Sequence, residues 1–559
     1  MNRVFHLVSR LAEPLRAPVA AALFCLLLAA GAPGVHAQAP ISYDDDEEDV
    51  APPMPPDEAA ARRSCSICHL FVPPDMLTKK NWKEQILPRM MVRLGVALPD
   101  YSSSAEGELI RARKIYTDKP LIPVSDWPLV ERYYLTHAPD QPLPQDPRPP
   151  IKVGLKLFRR EVPHFRTPLP TTTLVHIWEP RHKIIVGDER TQSLTFLDAN
   201  GWPLGVLGVG NVPVGFFENS GRCYLSCVGS FLPTEVYRAE VQIIQMTNGI
   251  PTGLTKLLTG LPRCTQMAFG DFNEDGRDDF ALCMFGNLTG RFSWFENLGN
   301  DQYREHVLAN QSGAMNCYAR DLNGDGHLDL AVLMAQELEM LIYLYNDGHG
   351  HFTSEMKFQR PPVFGHSYFE FADFNHDGQM DVVVCNGDNG EYESPTKKYH
   401  GIRIFMNRGH NFLEQVYFFP MNGVYGAKAR DYDEDGDLDL AAISYFPDYE
   451  HSPKESFVYL ENKGNWQFEC RTFRECISGR WVVMDVGDID GDQDIDIVLG
   501  SHVHGPKAVP DFLLRIWEKQ GPSVQILRNT LHDPQPAPAP PAKAASPAAP
   551  RKPTSPPSR

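Results

Sequence analysis

The sequence predicts a multidomain chain, a small all-α unit followed by an all-β propeller, and three observations carry that expectation. Apolar and charged residues recur at helical spacing between 57 and 137, whereas from 168 onward short apolar runs are divided by Gly, Asn and Asp. An acidic nine-residue pattern, D-x-[ND]-x-D-G-x-x-D with Gln for Gly in the last copy, occurs five times at start-to-start spacings of 50, 52, 58 and 57 residues, a period in the propeller range. The length of 559 residues suits three to five ordinary domains, or fewer when one is a large repeat architecture. With 42% hydrophobic and 22% charged residues the composition excludes wholesale disorder and a multi-span membrane protein. A net charge of −18 excludes a duplex nucleic acid partner held by phosphate neutralisation.

At the N-terminus, Arg3, Arg10 and Arg16 precede an apolar run over 19–30, and Gly34-Val35-His36-Ala37-Gln38 offers a cut after Ala37. Residues 1–37 therefore read as a secretory signal peptide, since the run falls short of the roughly 20 residues that span a bilayer. No later stretch reaches membrane length, so no integral span is expected and the location is periplasmic or secreted. Residues 38–56 form an acidic, Pro-rich linker containing six consecutive acids, Asp44 to Asp49. The expected helical unit is 57–142, with helices over 79–94 and 102–116 and a third that Asp126 caps and Pro128 opens. A Pro-rich linker at 143–167, the propeller at 168–530 and a low-complexity tail at 531–559 complete the order. Cys25 lies inside the signal, which leaves ten cysteines; Cys223/Cys227 and Cys470/Cys476 are the expected disulfides, while Cys283 and Cys385 read as buried thiols on strands.

In the helical unit, Cys65-Ser66-Ile67-Cys68-His69 is a C-x-x-C-H motif. Two thiols at this spacing add to the vinyl groups of a haem, and the adjacent imidazole reaches the iron. A zinc half-site would need a second ligand pair, absent between 38 and 150, and a thioredoxin-like pair would need a strand–helix context. The segment resembles the small cytochrome c domains of exported bacterial proteins on Cys65, Cys68, His69, Phe71-Val72-Pro73-Pro74, Trp82, Leu87-Pro88-Arg89-Met90, Trp127 and Tyr133-Tyr134. The resemblance implies one covalent haem c, with Cys65 and Cys68 as attachment points and His69 as proximal ligand. It implies Met90 as the distal ligand, with Met91 the adjacent alternative, Met76 close to His69 in sequence, and His137 the residue that would make a bis-histidine site.

The five acidic loops place oxygen donors at positions 1, 3, 5 and 9 of 271–279, 321–329, 373–381, 431–439 and 488–496. These are Asp271, Asn273, Asp275 and Asp279; Asp321, Asn323, Asp325 and Asp329; Asp373, Asn375, Asp377 and Asp381; Asp431, Asp433, Asp435 and Asp439; and Asp488, Asp490, Asp492 and Asp496. Alternating oxygens around a sharp Gly turn suit calcium, up to five ions in all, although Gln493 replaces Gly in the last loop. Position 12 is apolar and strand-like each time, which separates these loops from EF-hands. The loops hold 22 acids against one Arg, more negative than the whole chain, so the acidity is concentrated here. Without metal the same residues would form Asx turns.

The repeats resemble the FG-GAP or VCBS type of integrin-α-like propellers on Phe269-Gly270-Asp271, Val486-Gly487-Asp488, Tyr345-Asn346-Asp347-Gly348 and Phe405-Met406-Asn407-Arg408-Gly409. Ile184-Ile185-Val186-Gly187-Asp188 and Cys227-Val228-Gly229 look like blades without the acidic loop, and at about 51 residues per blade the span gives seven. Three functional readings follow. The first is an exported electron-transfer protein whose propeller docks a redox partner protein, a small-molecule electron donor or acceptor, or a surface ligand. The second is a haem-linked oxidoreductase with its site on the propeller, and the third a calcium-dependent adhesion or scaffold protein. The first leads, because the propeller carries no nucleophile elbow or nucleotide loop; His366 and His400 look isolated, and His502 and His504 lack an evident third metal ligand.

Overall fold

The computed structural model describes residues 54–533 apart from 105, 248, 287, 391–394 and 507–508, and among them seven β-sheets follow one another in a closed ring. The expected signal peptide, most of the acidic linker and residues 534–559 of the tail lie outside the described residues. Each blade is a four-stranded antiparallel meander, and the blades begin at Thr172–Trp178, Pro213–Asn219, Cys264–Gly270, Ala314–Arg320, His366–Ala372, Val424–Arg430 and Trp481–Gly487. In blades 3 to 7 the second strand is buried at all six positions. Packed between neighbouring blades, such a strand has no solvent face, which is why its sequence is a continuous apolar run and not an alternation.

Residues 143–167, expected as a linker, instead build part of the propeller. Phe158–Glu161 is the outermost strand of blade 7, antiparallel to Val524–Asn529, so a strand from before blade 1 closes the ring. Lys152–Val153 adds a parallel strand to the rim of blade 6. Between them and the helical unit, the Arg148 guanidinium pairs with the fully buried Glu455 and donates to Pro420 O at 2.9 Å. Closure by strand pairing leaves the ring without a long free edge. A helix, Asp511–Gln520, is inserted in blade 7, anchored by Leu513 and by Trp517, whose Nε1 donates to Ile477 O at 2.8 Å.

The helical unit packs its first helix, Pro56–Cys65, against its last, Trp127–His137. Ala60 and Ala61 allow close approach to Val130 and Tyr134, all fully or almost fully buried. Asp126 precedes the last helix as expected but makes no cap to it; its carboxylate pairs with Arg63 at 2.6 Å. Residues 79–93 form one continuous helix whose middle, Trp82–Ile86, is a wide turn in which Leu87 N–H reaches Trp82 O. Pro88 lacks the amide that would continue the regular ladder, and the bulge absorbs the defect. The helix expected over 102–116 is shorter, Gly107–Ala112. It starts where a Cβ on Gly107 would lie 1.6 Å from Tyr101 O.

The expected disulfides do not form; the ten described cysteines are free thiols. Cys223 and Cys227 lie four residues apart on one extended strand, roughly 13 Å at strand rise, beyond the reach of an S–S bond. Cys470 and Cys476 belong to different apolar clusters. Cys283 and Cys385 are buried on strands, and the thiols of Cys283 and Cys317, in adjacent blades, hydrogen-bond each other.

Candidate functional site

Alternation of strand direction gives the propeller two distinct faces. Connections from first to second strands open on one face, and those from second to third strands, with the links between blades, open on the other. All five acidic loops are first-to-second connections, and blades 1 and 2 have short turns in their place.

The helical unit docks on the opposite face. The Glu106 carboxylate accepts from Thr234 Oγ1 and from Glu235 N at 2.9 Å. Arg113 donates to Glu235 O at 2.8 Å and lies 3.7 Å over the Tyr237 ring. Arg93 pairs with Glu337 at 2.5 Å, Tyr399 OH donates to Met76 O at 3.2 Å, and Val363 packs on the helical core.

Cys65 is the last residue of the first helix, and Cys68 and His69 follow in the turn that leaves it, so the motif is not itself helical. His69 Nδ1 lies 2.8 Å from Leu70 O. A carbonyl there fixes the proton on Nδ1 and leaves the Nε2 lone pair for a ligand. Burial pushes the Cys65 thiol up to about 11, opposed by a hydrogen bond with Tyr134; burial also raises Cys68, and the Glu337 carboxylate adds to it. Neither thiol is drawn toward the thiolate that a thioredoxin-like redox pair uses. Cys65, Cys68 and His69 also form no joint metal-ligand cluster among the described residues. Met90, Met91 and Met76 are half-buried against the helical core, while His137 is exposed, its Nδ1 2.8 Å from Tyr133 O. The indole N–H of Trp127 is buried without a partner, an orphan donor inside this unit.

In the acidic loops the position-9 residues Asp279, Asp329, Asp381, Asp439 and Asp496 are 0% exposed and open the second strands. One oxygen of each accepts the backbone N–H of an Asn at the end of the third strand, from Asn297, Asn346, Asn407, Asn462 and Asn529, at 2.7–2.8 Å. The other accepts from loop position 2 in four of them, from Phe272, Leu322, Phe374 and Ile489, and from the Tyr459 hydroxyl in the case of Asp439. Asn346 and Asn407 lie in segments that already carry the repeat pattern, whereas Asn297, Asn462 and Asn529 were missed; the recurring Asn-x-Gly at 297, 346, 407 and 462 marks all but the last. Burial raises the carboxyl groups of all five, that of Asp279 to about 6 and those of Asp439 and Asp496 to about 7.

Carboxylate oxygens of Asp431, Asp433 and Asp435 converge within 4.8 Å of one another, as do those of Asp488, Asp490 and Asp492. Asp431 Oδ1 and Asp433 Oδ1 are buried without a hydrogen-bond partner, the condition that a cation relieves. In the first three loops Asn273, Asn323 and Asn375 turn toward the position-5 Asp at 3.4, 2.8 and 2.9 Å. The last loop differs, because Arg528 lies on Asp490 at 3.3 Å and on Asp496 at 2.7 Å.

Position 6 has a left-handed backbone in every loop, with φ of 83°, 92°, 81° and 95° at Gly276, Gly326, Gly378 and Gly436 and 75° at Gln493. A non-glycine residue there costs about 1–2 kcal/mol, partly offset by the roughly 0.5–1 kcal/mol of chain entropy that Gly loses on folding. Gln493→Gly is therefore expected to stabilise the protein by about 0.5–1 kcal/mol, seen as a higher denaturant midpoint at unchanged slope.

The histidines read as isolated are not. His366 and His400 are each 1% exposed. His366 Nδ1 lies 2.8 Å from Glu339 Oε2, and burial followed by Arg403 pushes its pKa down to about 3. His502, also buried, sets Nε2 2.7 Å from Glu189 Oε2 and stacks on Phe231 at 4.0 Å, while His504 stays exposed.

Residues 271–332 and 321–384 match the family of FG-GAP-like repeats. The chain thus contains FG-GAP-like repeats within a seven-bladed β-propeller. Solved structures with a similar backbone include the Pan2 WD40 domain of Neurospora crassa (8% identity, covering 64% of this chain and 99% of that one, TM-score 0.41). They also include Saccharomyces cerevisiae Sqt1 (9%, 67% and 99%, 0.40) and a luciferin-regenerating enzyme (9%, 66% and 95%, 0.34). No curated protein matches the chain. No described helix is long and apolar enough to cross a membrane.

Proposed function

We propose that the protein is an exported monohaem c-type cytochrome carried on a calcium-binding propeller and that it acts in electron transfer. The observation that carries this reading is His69, whose Nδ1 is engaged by Leu70 O inside a C-x-x-C-H motif so that Nε2 is left for iron. Cys65 and Cys68, unpaired thiols on either side of the turn, would hold the porphyrin, with Met90 as distal ligand. The orphan indole N–H of Trp127 suits a polar edge of the same group, and the exposed apolar residues Ile67, Leu70 and Leu121 suit its margin. Bound there, haem supplies one-electron exchange, and a thioether ligand raises its potential toward that of a carrier.

Asp271, Asn273, Asp275 and Asp279 and their counterparts in the next three loops would hold calcium, with Asp431 and Asp433 the best-prepared ligands. In the last loop Arg528 already compensates two of the four acids. Rigid loops on one face and the helical unit on the other leave the propeller to dock a redox partner.

The test is the visible spectrum of protein made with a haem-attachment system, reduced, with and without carbon monoxide. Covalent six-coordinate haem indifferent to carbon monoxide is expected. Ready carbon monoxide binding would instead favour a catalytic or sensing role, and absence of haem would remove the reading altogether.

A further inference from the structure

We propose that the cleft between blades 7, 1 and 2 binds a small molecule through an oxyanion group, a carboxylate, sulfate or phosphate. The cleft measures about 470 Å³ and is lined by Thr171, Glu189, Arg190, Gln192, Arg238 and His504, among others. Volumes of this order hold small ligands and not macromolecules. Its walls come from the start of blade 1 and from the second-to-third connections of blades 1, 2 and 7, which open on the face that carries the helical unit.

The chemistry of the lining selects the ligand. Arg238 is exposed, and its guanidinium has no protein partner among the described residues. Arg190 gives one bond, Nη2 to Pro168 O at 2.8 Å, and keeps the rest of its fork. Glu189 is the one carboxylate of the lining, and it is already matched. The two ring nitrogens of His502 face two acceptors, Glu189 Oε2 at 2.7 Å and His504 O at 2.5 Å. Glu189 Oε2 is thus taken up by the buried His502 ring and does not stand free in the cleft. His504 contributes an exposed ring whose pKa is lowered by partial desolvation at the cleft wall and then by neighbouring His502, so it can donate without adding charge. The cleft therefore presents two under-used guanidinium forks against a single carboxylate that is already hydrogen-bonded, in a chain whose net charge is −18. Guanidinium forks recognise planar or tetrahedral oxyanions through paired N–H···O bonds, and a concave cationic site concentrates them against the overall field.

The assignment does not depend on haem in the helical unit. Succinate, sulfate and phenyl phosphate are titrated calorimetrically into the full-length protein at constant ionic strength, with sodium chloride as reference. Saturable heat is expected with at least one of the three, and which one responds identifies the head group. The Arg190→Gln/Arg238→Gln double variant is expected to bind at least about tenfold more weakly, since each charge-assisted bond contributes about 1.5–3 kcal/mol. Arg304→Gln, on the outer strand of blade 3, is expected to bind as the unaltered protein does. Both cleft arginines are exposed, so an unchanged melting curve verifies that the double variant folds. No saturable heat from any probe, or equal heats from the double variant, would overturn the proposal.

Discussion

Chelating calcium is expected to lower the melting temperature of the propeller, and to lower it more at pH 8 than at pH 5. In the metal-free state the position-9 carboxyl groups are buried among other acids, which pushes Asp279 up to about 6 and Asp439 and Asp496 up to about 7. An unfolded Asp titrates near 3.9. Between these values the native state binds more protons than the unfolded one, so stability falls as pH rises through the window from about 4 to 7. At pH 5 the three groups are largely protonated and the empty loops tolerate one another. At pH 8 they are ionised in both states, and the native state bears the full cost of burial and mutual repulsion. Bound calcium would reverse that cost, and at a hundredfold excess over Kd each ion would add about 2.7 kcal/mol. Several such sites together would make the effect a large one. The last loop, with Arg528 already on Asp490 and Asp496, should contribute least. Thermal scans with and without chelator at the two pH values decide the matter. A chelator without effect would show that these loops are metal-free turns, and one equally effective at pH 5 and pH 8 would show that the position-9 carboxyl groups do not set the cost of the empty loops.

The repeats were legible because their chemistry is local. An Asp-rich turn, a left-handed backbone at its sixth position and a buried six-residue strand leave a signature that recurs five times at 50 to 58 residues, and that period applied to the whole span gave the seven blades. What the sequence hid is what depends on closure. Phe158-Arg159-Arg160-Glu161 has no repeat signature, and only its pairing with Val524–Asn529 makes it a blade strand. Asp511–Gln520 falls where the repeat leads one to expect strand, and its identity rests on Leu513 and Trp517 finding a pocket. Proximity in sequence misled for the cysteines, since Cys223 and Cys227 share a strand, whereas Cys283 and Cys317 meet across two blades. The same limit applies to the proposed cleft. Arg190, Arg238 and His504 come from three blades, and nothing in the spacing of residues 190, 238 and 504 signals that they share one cavity.

His69→Ala is expected to abolish the six-coordinate haem spectrum while leaving the melting transition of the propeller in place. The separation is physical. The C-x-x-C-H motif lies in the turn after Pro56–Cys65, and the helical unit meets the propeller through Glu106, Arg113, Arg93 and the Tyr399–Met76 contact, none of which involves His69. Met90→Ala should give a different outcome. Haem should remain attached through Cys65 and Cys68, but with the sixth position open the reduced protein should bind carbon monoxide, and the potential should fall with loss of the thioether. If Met90→Ala leaves the spectrum unchanged, the same measurement on Met91→Ala, Met76→Ala and His137→Ala identifies the true ligand. Met91 follows directly in the helix, whereas His137 would have to give up its Tyr133 contact to turn inward. The two variants together also separate carrier from catalyst. A protein that needs both His69 and Met90 to keep carbon monoxide out has a closed iron and exchanges electrons only, while one whose iron is open with Met90 present has room for a substrate.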